Sequence, residues 1–308
     1  MQNSPAENSG NAAAFSRTII YDLGANNGGD IPYYLRKADL VVAVEANPAL
    51  CVDLRQRFSA ELAADRLRIE NCVLVAASDD AHEVPFYLHK RHHVLGQFPQ
   101  PDESVIDDYD RVTLPAQSVL AILQRHGPPH YIKLDIEGYD EVILSELLRN
   151  GIRPPYLSAE SSSIRVFTLL SGLGGYSAFQ LVEGKTVAEN FRNHPIHTRN
   201  GPQAYSFPQH SAGPFGDDLP GPWLNADNFL PLLAAKGMGW RDIHVTSLVQ
   251  PDPTSHAQQR RRNLRHLRGW LRAKFHRGPA LHFVLCCCLH TFCAFPSHAS
   301  RCNNRCVR

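Results

Sequence analysis

Residues Tyr21 to Asp30 read Y-D-L-G-A-N-N-G-G-D, directly after the β-branched run Thr18, Ile19, Ile20 and directly before a helix-like stretch from Ile31 to Ala38. A glycine-rich turn between a strand and a helix is where a doubly wound sheet brings backbone N–H groups against a nucleotide-like ligand. The turn alone is a weak signal, and its surroundings decide the reading. Asp22 precedes the first glycine, Gly28 and Gly29 close the turn, and Val41 to Glu45 forms a second apolar strand that ends on an acid. An acid about 20 residues beyond the first glycine can accept hydrogen bonds from both ribose hydroxyls of an adenosine.

Residue type inside the turn selects the ligand. A dinucleotide site needs glycine at the second position of G-x-G-x-x-G, because the backbone must touch a pyrophosphate. Here that position is Asn26. Its side chain crowds a pyrophosphate but suits a nucleoside with an amino-acid moiety, whose ammonium and carboxylate the turn and Asp22 can hold. S-adenosylmethionine is such a ligand, so Asp22, Gly24, Asn26, Asn27, Gly28 and Glu45 are the expected cofactor-binding residues. The bland alternative is a strand–helix turn that carries glycines only for positive φ.

Three motifs in order, Y-D-L-G-A-N-N-G-G-D, V-E-A-N-P and I-K-L-D-I-E-G-Y-D (Ile132 to Asp140), resemble the FkbM family of S-adenosylmethionine-dependent methyltransferases over about residues 17 to 248. The resemblance implies a class I methyltransferase fold, a Rossmann-like doubly wound α/β sheet, and O-methylation of a hydroxyl, commonly on sugars or secondary metabolites. It also supports Asp135 at the reaction site, and it selects no one substrate.

Strand and helix patterns alternate along the chain, as a mostly parallel sheet with helices on both faces requires. Expected strands cover 17–23, 40–45, 67–77, 84–88, 131–136, 156–160, 179–182 and, as the last strand, 240–246, which the fold implied by the resemblance makes antiparallel. Expected helices cover 31–38, 47–64, 115–124, 141–148 and 164–170, with Asp30 and Asn47 as caps and Pro32 and Pro48 in first turns. Two segments, His89 to Val112 and Asn190 to Pro222, break the alternation and are rich in Pro, Gly, Asn and His. Loops of this length are usually functional or disordered, and loops at the carboxyl ends of strands form the ligand crevice. Both are expected to govern substrate choice, with Gly213 to Gly216 and Trp223 as an apolar wall or as core.

The chemistry is expected at the strand rims. Asp135 and Glu137 lie two apart near the end of the strand expected over 131–136 and are expected on one face, and Glu160 ends the strand expected over 156–160 at the same rim. A carboxylate there can hold and partly deprotonate a substrate hydroxyl in line with a sulfonium methyl. The structural alternative makes Glu137 and Glu160 helix caps. His93, with His92 in the first long loop, is a further candidate base, since imidazole titrates near neutral pH. Asp79, beyond the third strand, is expected either against an adenine amino group or as a turn residue. Lys133 is expected on the opposite face of the sheet in a structural role. Three carboxylates at one rim also suit Mg²⁺, which takes oxygen ligands; this is the less favoured reading, and no metal ligand is assigned.

Composition bounds the partners. The net charge of +1 hides a division: eleven Lys and Arg and no acid follow residue 257, leaving 20 basic and 30 acidic residues before it, a formal charge of −10. An acidic body argues against a nucleic-acid groove, which Lys and Arg supply. A small molecule or glycan is the expected substrate. Residues 1–15 are expected to be disordered, 16–250 to form the methyltransferase domain, and 251–308 to be a basic, cysteine-rich extension holding six of the eight cysteines. Its apolar run, Leu281 to Phe295, is too short to span a bilayer; a palmitoylated anchor is the less favoured reading of its cysteines. Cys51 and Cys72 are expected as buried free thiols, and with no secretory signal at the amino end the expected compartment is the cytoplasm. Two other functions remain open to the sequence: an NAD-dependent oxidoreductase, against which Asn26 counts, and a non-catalytic Rossmann-like binding protein.

Overall fold

The computed structural model describes residues 17–79 and 81–252. The expectations for residues 1–15 and for the basic, cysteine-rich extension after Asp252 therefore lie outside the described residues. Five elements follow the sequence pattern closely: β1 (Ile19–Leu23), α1 (Ile31–Lys37), β2 (Leu40–Glu45), α2 (Pro48–Arg57) and α3 (Ser59–Ala63). Asn47 caps α2 through its side chain, which accepts from the Ala49 amide at 3.0 Å. The single helix expected over 47–64 is divided at Phe58, whose backbone leaves helical geometry at φ −108° and ψ 30°.

The strand expected over 67–77 is two strands. β3 (Leu67–Asn71) pairs with β2, whereas β4 (Val73–Val75) leaves the main sheet after Cys72. β4 joins a small sheet with β5 (Glu83–His89) and β6 (Tyr109–Ser118), in the order β4-β6-β5. Residues 109–118 thus overturn two expectations: Tyr109 to Val112 is strand rather than loop, and Pro115 to Ser118 is strand rather than helix. Helix α4 (Val119–His126) starts where the Ser118 hydroxyl accepts from the Ala121 amide.

The remaining elements are β7 (Tyr131–Leu134), α5 (Asp140–Arg149), β8 (Tyr156–Ser161), α6 (Ile164–Thr168), β9 (Ala178–Glu183), α7 (Val187–Asn190), β10 (His194–Thr198), β11 (Gly201–Tyr205), α8 (Ala226–Lys236) and β12 (Gly239–Thr246). Helix α8, not anticipated from the sequence, begins at an Asn225 cap, whose side chain accepts from the Asn228 amide, and carries Pro231 inside it.

The central sheet has the order β3-β2-β1-β7-β8-β12-β9 and is parallel except for β12, which runs antiparallel to β8 and β9. This is the class I methyltransferase architecture expected above, antiparallel last strand included. Its middle strands are buried on both faces, so β1, β2 and β7 read as nearly unbroken apolar runs. One core carries Leu23, Ile132, Leu134 and Phe229; the other carries Ile20, Tyr34, Tyr131 and Phe215.

The order reverses direction between β1 and β7, which makes a crevice at their carboxyl ends. Register fixes what meets there. Asp22 is level with Lys133, Leu23 with Leu134 and Leu23 with Val44, and Leu134 is level with Ala159. The residues that follow, Gly24, Glu45, Asp135 and Glu160, therefore emerge side by side.

The segment Asn190 to Pro222 is mostly a cover for the opposite core. Its strands β10 and β11 form a hairpin, Phe215 stacks on Tyr131 at 3.9 Å, and Asp218 accepts from Tyr33 and Lys37 at 2.8 and 2.6 Å. Phe215 and Trp223 are buried core residues, not cavity walls. Asp30 does not cap α1 with its side chain; it accepts from the Ser211 hydroxyl and, at 3.0 Å, from the Ala212 amide, tying this segment to the glycine turn. Among the described residues Cys51 and Cys72 are free and buried, and no helix is long and apolar enough to cross a membrane.

Candidate functional site

A cavity of about 410 Å³ opens at the carboxyl ends of β1, β2, β7 and β8. Its floor is the glycine turn. Gly24 has φ +91°, and a Cβ there would lie 1.7 Å from the Asp135 carbonyl oxygen, so the turn can approach the end of β7 only without a side chain. Asn26 stands at φ +47°, in the left-handed region that Asn tolerates. Glu45 holds this geometry: one carboxylate oxygen accepts from the Asn26 amide at 2.7 Å and the other from the Asn47 amide at 2.8 Å. Its remaining lone pairs belong to a carboxylate that lines the cavity.

The first long segment supplies the other wall. His93, Leu95 and Phe98 line the cavity, and the His93 Nδ1 lies 2.7 Å from the Asn26 side-chain oxygen. His93 therefore sits at the turn rather than among the carboxylates. His92 packs against His89 instead, with ring centres 5.1 Å apart.

Asp135, Glu137 and Glu160 converge at the far end, with carboxylate oxygens within 4.8 Å of one another. Glu137 reaches this point through a left-handed backbone, φ +51°, and is not a helix cap, since Tyr139 occupies the cap of α5. Burial, then the charge of Asp135, pushes Glu137 to about 7 and Glu160 to about 9. Crowded acids in a desolvated pocket share this behaviour generally. Trp240 and His210, stacked with centres 5.0 Å apart, close the same region.

Lys133 overturns its expected position. Residues 133 and 135 are two apart on a strand and so share a face. The Lys133 ammonium donates to the Gly24 carbonyl at 2.8 Å, lies 3.3 Å from Asp135 and 3.7 Å from Asp22, and lines the cavity. Burial pulls its pKa down, but Asp135 and Asp22 outweigh that and hold it charged. The two-residue spacing was the signal that could have identified it.

Three expected cofactor residues do not line the cavity. Asp22 is buried behind the turn, its Oδ1 without a hydrogen bond, and burial pushes it to about 7 against the pull of Lys133. Gly28 supports the turn from below, where a Cβ would meet Leu54 at 2.4 Å. Asp79 accepts from the Tyr139 hydroxyl at 3.2 Å outside the cavity wall. Gly24, Asn26, Asn27 and Glu45 do line it.

Residues 22–167, from β1 into α6, match the family model described as Methyltransferase FkbM domain. No curated protein matches the chain significantly. Similar solved structures include a methyltransferase FkbM from Methylobacillus flagellatus KT, at 15% identity and a TM-score of 0.38 over 55% of this chain and 40% of that one. The chain thus spans less than half the length of that protein. A precorrin-6y C5,15-methyltransferase from Geobacter metallireducens GS-15 aligns at 11% identity and a TM-score of 0.30, covering 62% of this chain and 74% of that chain. A SAM dependent methyltransferase from Aquifex aeolicus aligns at 12% and 0.29, covering 54% and 76%.

Proposed function

We propose, from the methyltransferase FkbM domain matched over residues 22–167, that the chain transfers a methyl group from S-adenosylmethionine to a hydroxyl of a small molecule or glycan. The observation that carries this reading is one cavity with two chemically distinct ends. A glycine turn tied to Glu45 forms one end, and three carboxylates form the other. The cavity volume is in the range of small-molecule sites. The side chain of Asn26, which lines the cavity, suits a nucleoside carrying an amino acid better than a pyrophosphate.

The cofactor, when bound, supplies an electrophilic methyl that the acceptor oxygen can displace. Glu45 is the residue to hold the ribose hydroxyls, and Leu74 and Leu95 are apolar walls fit for the base. Asp135 is the residue to accept the acceptor hydroxyl's hydrogen bond and take its proton, with its carboxylate steadied by Lys133. Glu160, pushed to about 9, carries a proton at neutral pH and serves as a hydrogen-bond donor to the acceptor. Glu137, at about 7, is matched to proton exchange near neutrality. The acidic body and the acidic end of the cavity favour a neutral or cationic acceptor over a polyanion.

Calorimetry of the chain with S-adenosylmethionine, S-adenosylhomocysteine and NAD in parallel tests the reading. Binding of the first two and not of NAD is expected. Binding of NAD alone would transfer the site to oxidoreductases, and binding of S-adenosylmethionine without methylation of any hydroxylated metabolite or glycan would support a binding protein.

A further inference from the structure

The amino-acid end of S-adenosylmethionine carries a carboxylate, and of the turn's N–H groups from Gly24 to Gly29 all but that of Asn27 are already committed. In the turn, the amides of Gly24 and Ala25 donate to the Val44 carbonyl at 3.0 and 2.9 Å. The Asn26 amide is held by Glu45, the Gly28 amide by the Ala25 carbonyl at 2.7 Å, and the Gly29 amide by the Asn27 side chain at 3.0 Å. A glycine turn that spends these N–H groups on its own closure cannot offer them to an anion as phosphate-binding turns do.

Among the described residues that line the cavity, Lys133 is the only Lys or Arg. It is 6% exposed and stands between the turn and the carboxylate end. An ammonium has three N–H donors. The Gly24 carbonyl takes one at 2.8 Å, Asp135 lies at 3.3 Å, and Asp22 at 3.7 Å is beyond hydrogen-bond reach. One donor is left for a ligand. The acids facing Lys133 are Asp22 on β1, Asp30 at the start of α1, Asp135 beyond β7 and Asp242 on β12. Burial raises the pKa of Asp22, Asp30 and Asp242, and the acids around Lys133 hold its ammonium charged.

We infer that Lys133 is the cofactor-binding residue that receives the amino-acid carboxylate of S-adenosylmethionine, while its other contacts fix the Gly24 carbonyl and Asp135 around that point. The inference rests on the S-adenosylmethionine reading above. It also assigns the ligand's two ends: the ribose to Glu45 and the carboxylate to Lys133, so the sulfonium between them faces the carboxylate end of the cavity.

The test compares S-adenosylmethionine, S-adenosylhomocysteine and decarboxylated S-adenosylmethionine by calorimetry on the full chain and its variants. The unmodified chain is expected to prefer S-adenosylmethionine over the decarboxylated form by about 10- to 100-fold, the scale of one charge-assisted hydrogen bond. Lys133→Met is expected to weaken the two carboxylated ligands more than the decarboxylated one, by a similar factor, erasing the preference. Lys133→Arg is expected to retain part of it. Equal affinity of the unmodified chain for both sulfonium ligands overturns the inference without needing any variant to fold. Survival of the full preference in Lys133→Met also overturns it and hands the carboxylate to the remaining turn amides. Failure of the unmodified chain to bind any of the three compounds overturns the S-adenosylmethionine reading itself.

Discussion

Replacing Glu45 by Ala probes the cofactor site at its most constrained point. The carboxylate does two jobs: it closes the turn through the amides of Asn26 and Asn47, at 2.7 and 2.8 Å, and it faces the cavity with its remaining lone pairs. Two ribose hydroxyls bonded to a charged acceptor contribute about 2 to 4 kcal/mol, taking about 1.5 to 3 for one such bond and allowing for non-additivity. The dissociation constant of S-adenosylmethionine should therefore rise about 30- to 900-fold in Glu45→Ala. The same change leaves two amides without their acceptor, so the melting temperature should also fall, and binding must be measured by calorimetry at a temperature where circular dichroism reports a folded chain. Glu45→Gln keeps one acceptor oxygen and should lie between Ala and the unmodified chain in both measurements. If folded Glu45→Ala binds S-adenosylmethionine within about twofold of the unmodified chain, the ribose is elsewhere and the reading of the turn collapses.

Asp135→Asn preserves shape and should leave cofactor affinity largely intact while lowering turnover by about 10² to 10⁴, the range of lost acid–base assistance; normal turnover would move the base to Glu137 or Glu160. Turnover should survive a chelator, and activity lost to chelation and restored by Mg²⁺ would convert the Asp135, Glu137, Glu160 cluster into a metal site. Stability of the ligand-free chain should fall as pH rises from about 6.5 to 9. Asp22, Glu137 and Glu160 are raised to about 7, 7 and 9, so the folded state binds more protons than the unfolded state through this window. His244, pushed down to about 3 by burial, opposes the trend only at the lower edge of the window, where the unfolded imidazole is still partly protonated, and is neutral in both states above it. Thermal melts of Glu160→Gln should show a flatter slope, and an unchanged slope would refute the assignment. A chain ending at residue 257 should melt cooperatively and bind cofactor unchanged, because β12, the last strand among the described residues, ends at Thr246; loss of cooperative melting would place the domain boundary later.

Local chemistry was enough to determine most of the alternation of strands and helices, the glycine turn and the acid that ends β2. Each is a property of a short window: apolar runs bounded by turn formers, Asn47 as a cap, and a glycine where the backbone needs positive φ. Spacing along one strand also held the placement of Lys133 beside Asp135, since side chains two apart share a face.

Pairing between distant segments decided the rest. The departure of β4 after Cys72 depends on β6, some 40 residues later, offering a second edge, which no window around Cys72 contains. Asn190 to Pro222 reads as an open loop because its apolar residues lack a period, yet Phe215 finds Tyr131 and Asp218 finds Lys37 only once α1 and β7 are packed. His93 meets Asn26 across 67 positions for the same reason. The site itself is a product of register. The alignment of Leu23 with Leu134 and of Leu134 with Ala159 brings Gly24, Asp135 and Glu160 to one rim. The sequence specifies which residues end strands, but side-by-side placement comes from hydrogen bonds between strands, a long-range choice stabilised by burying both faces of the sheet at once.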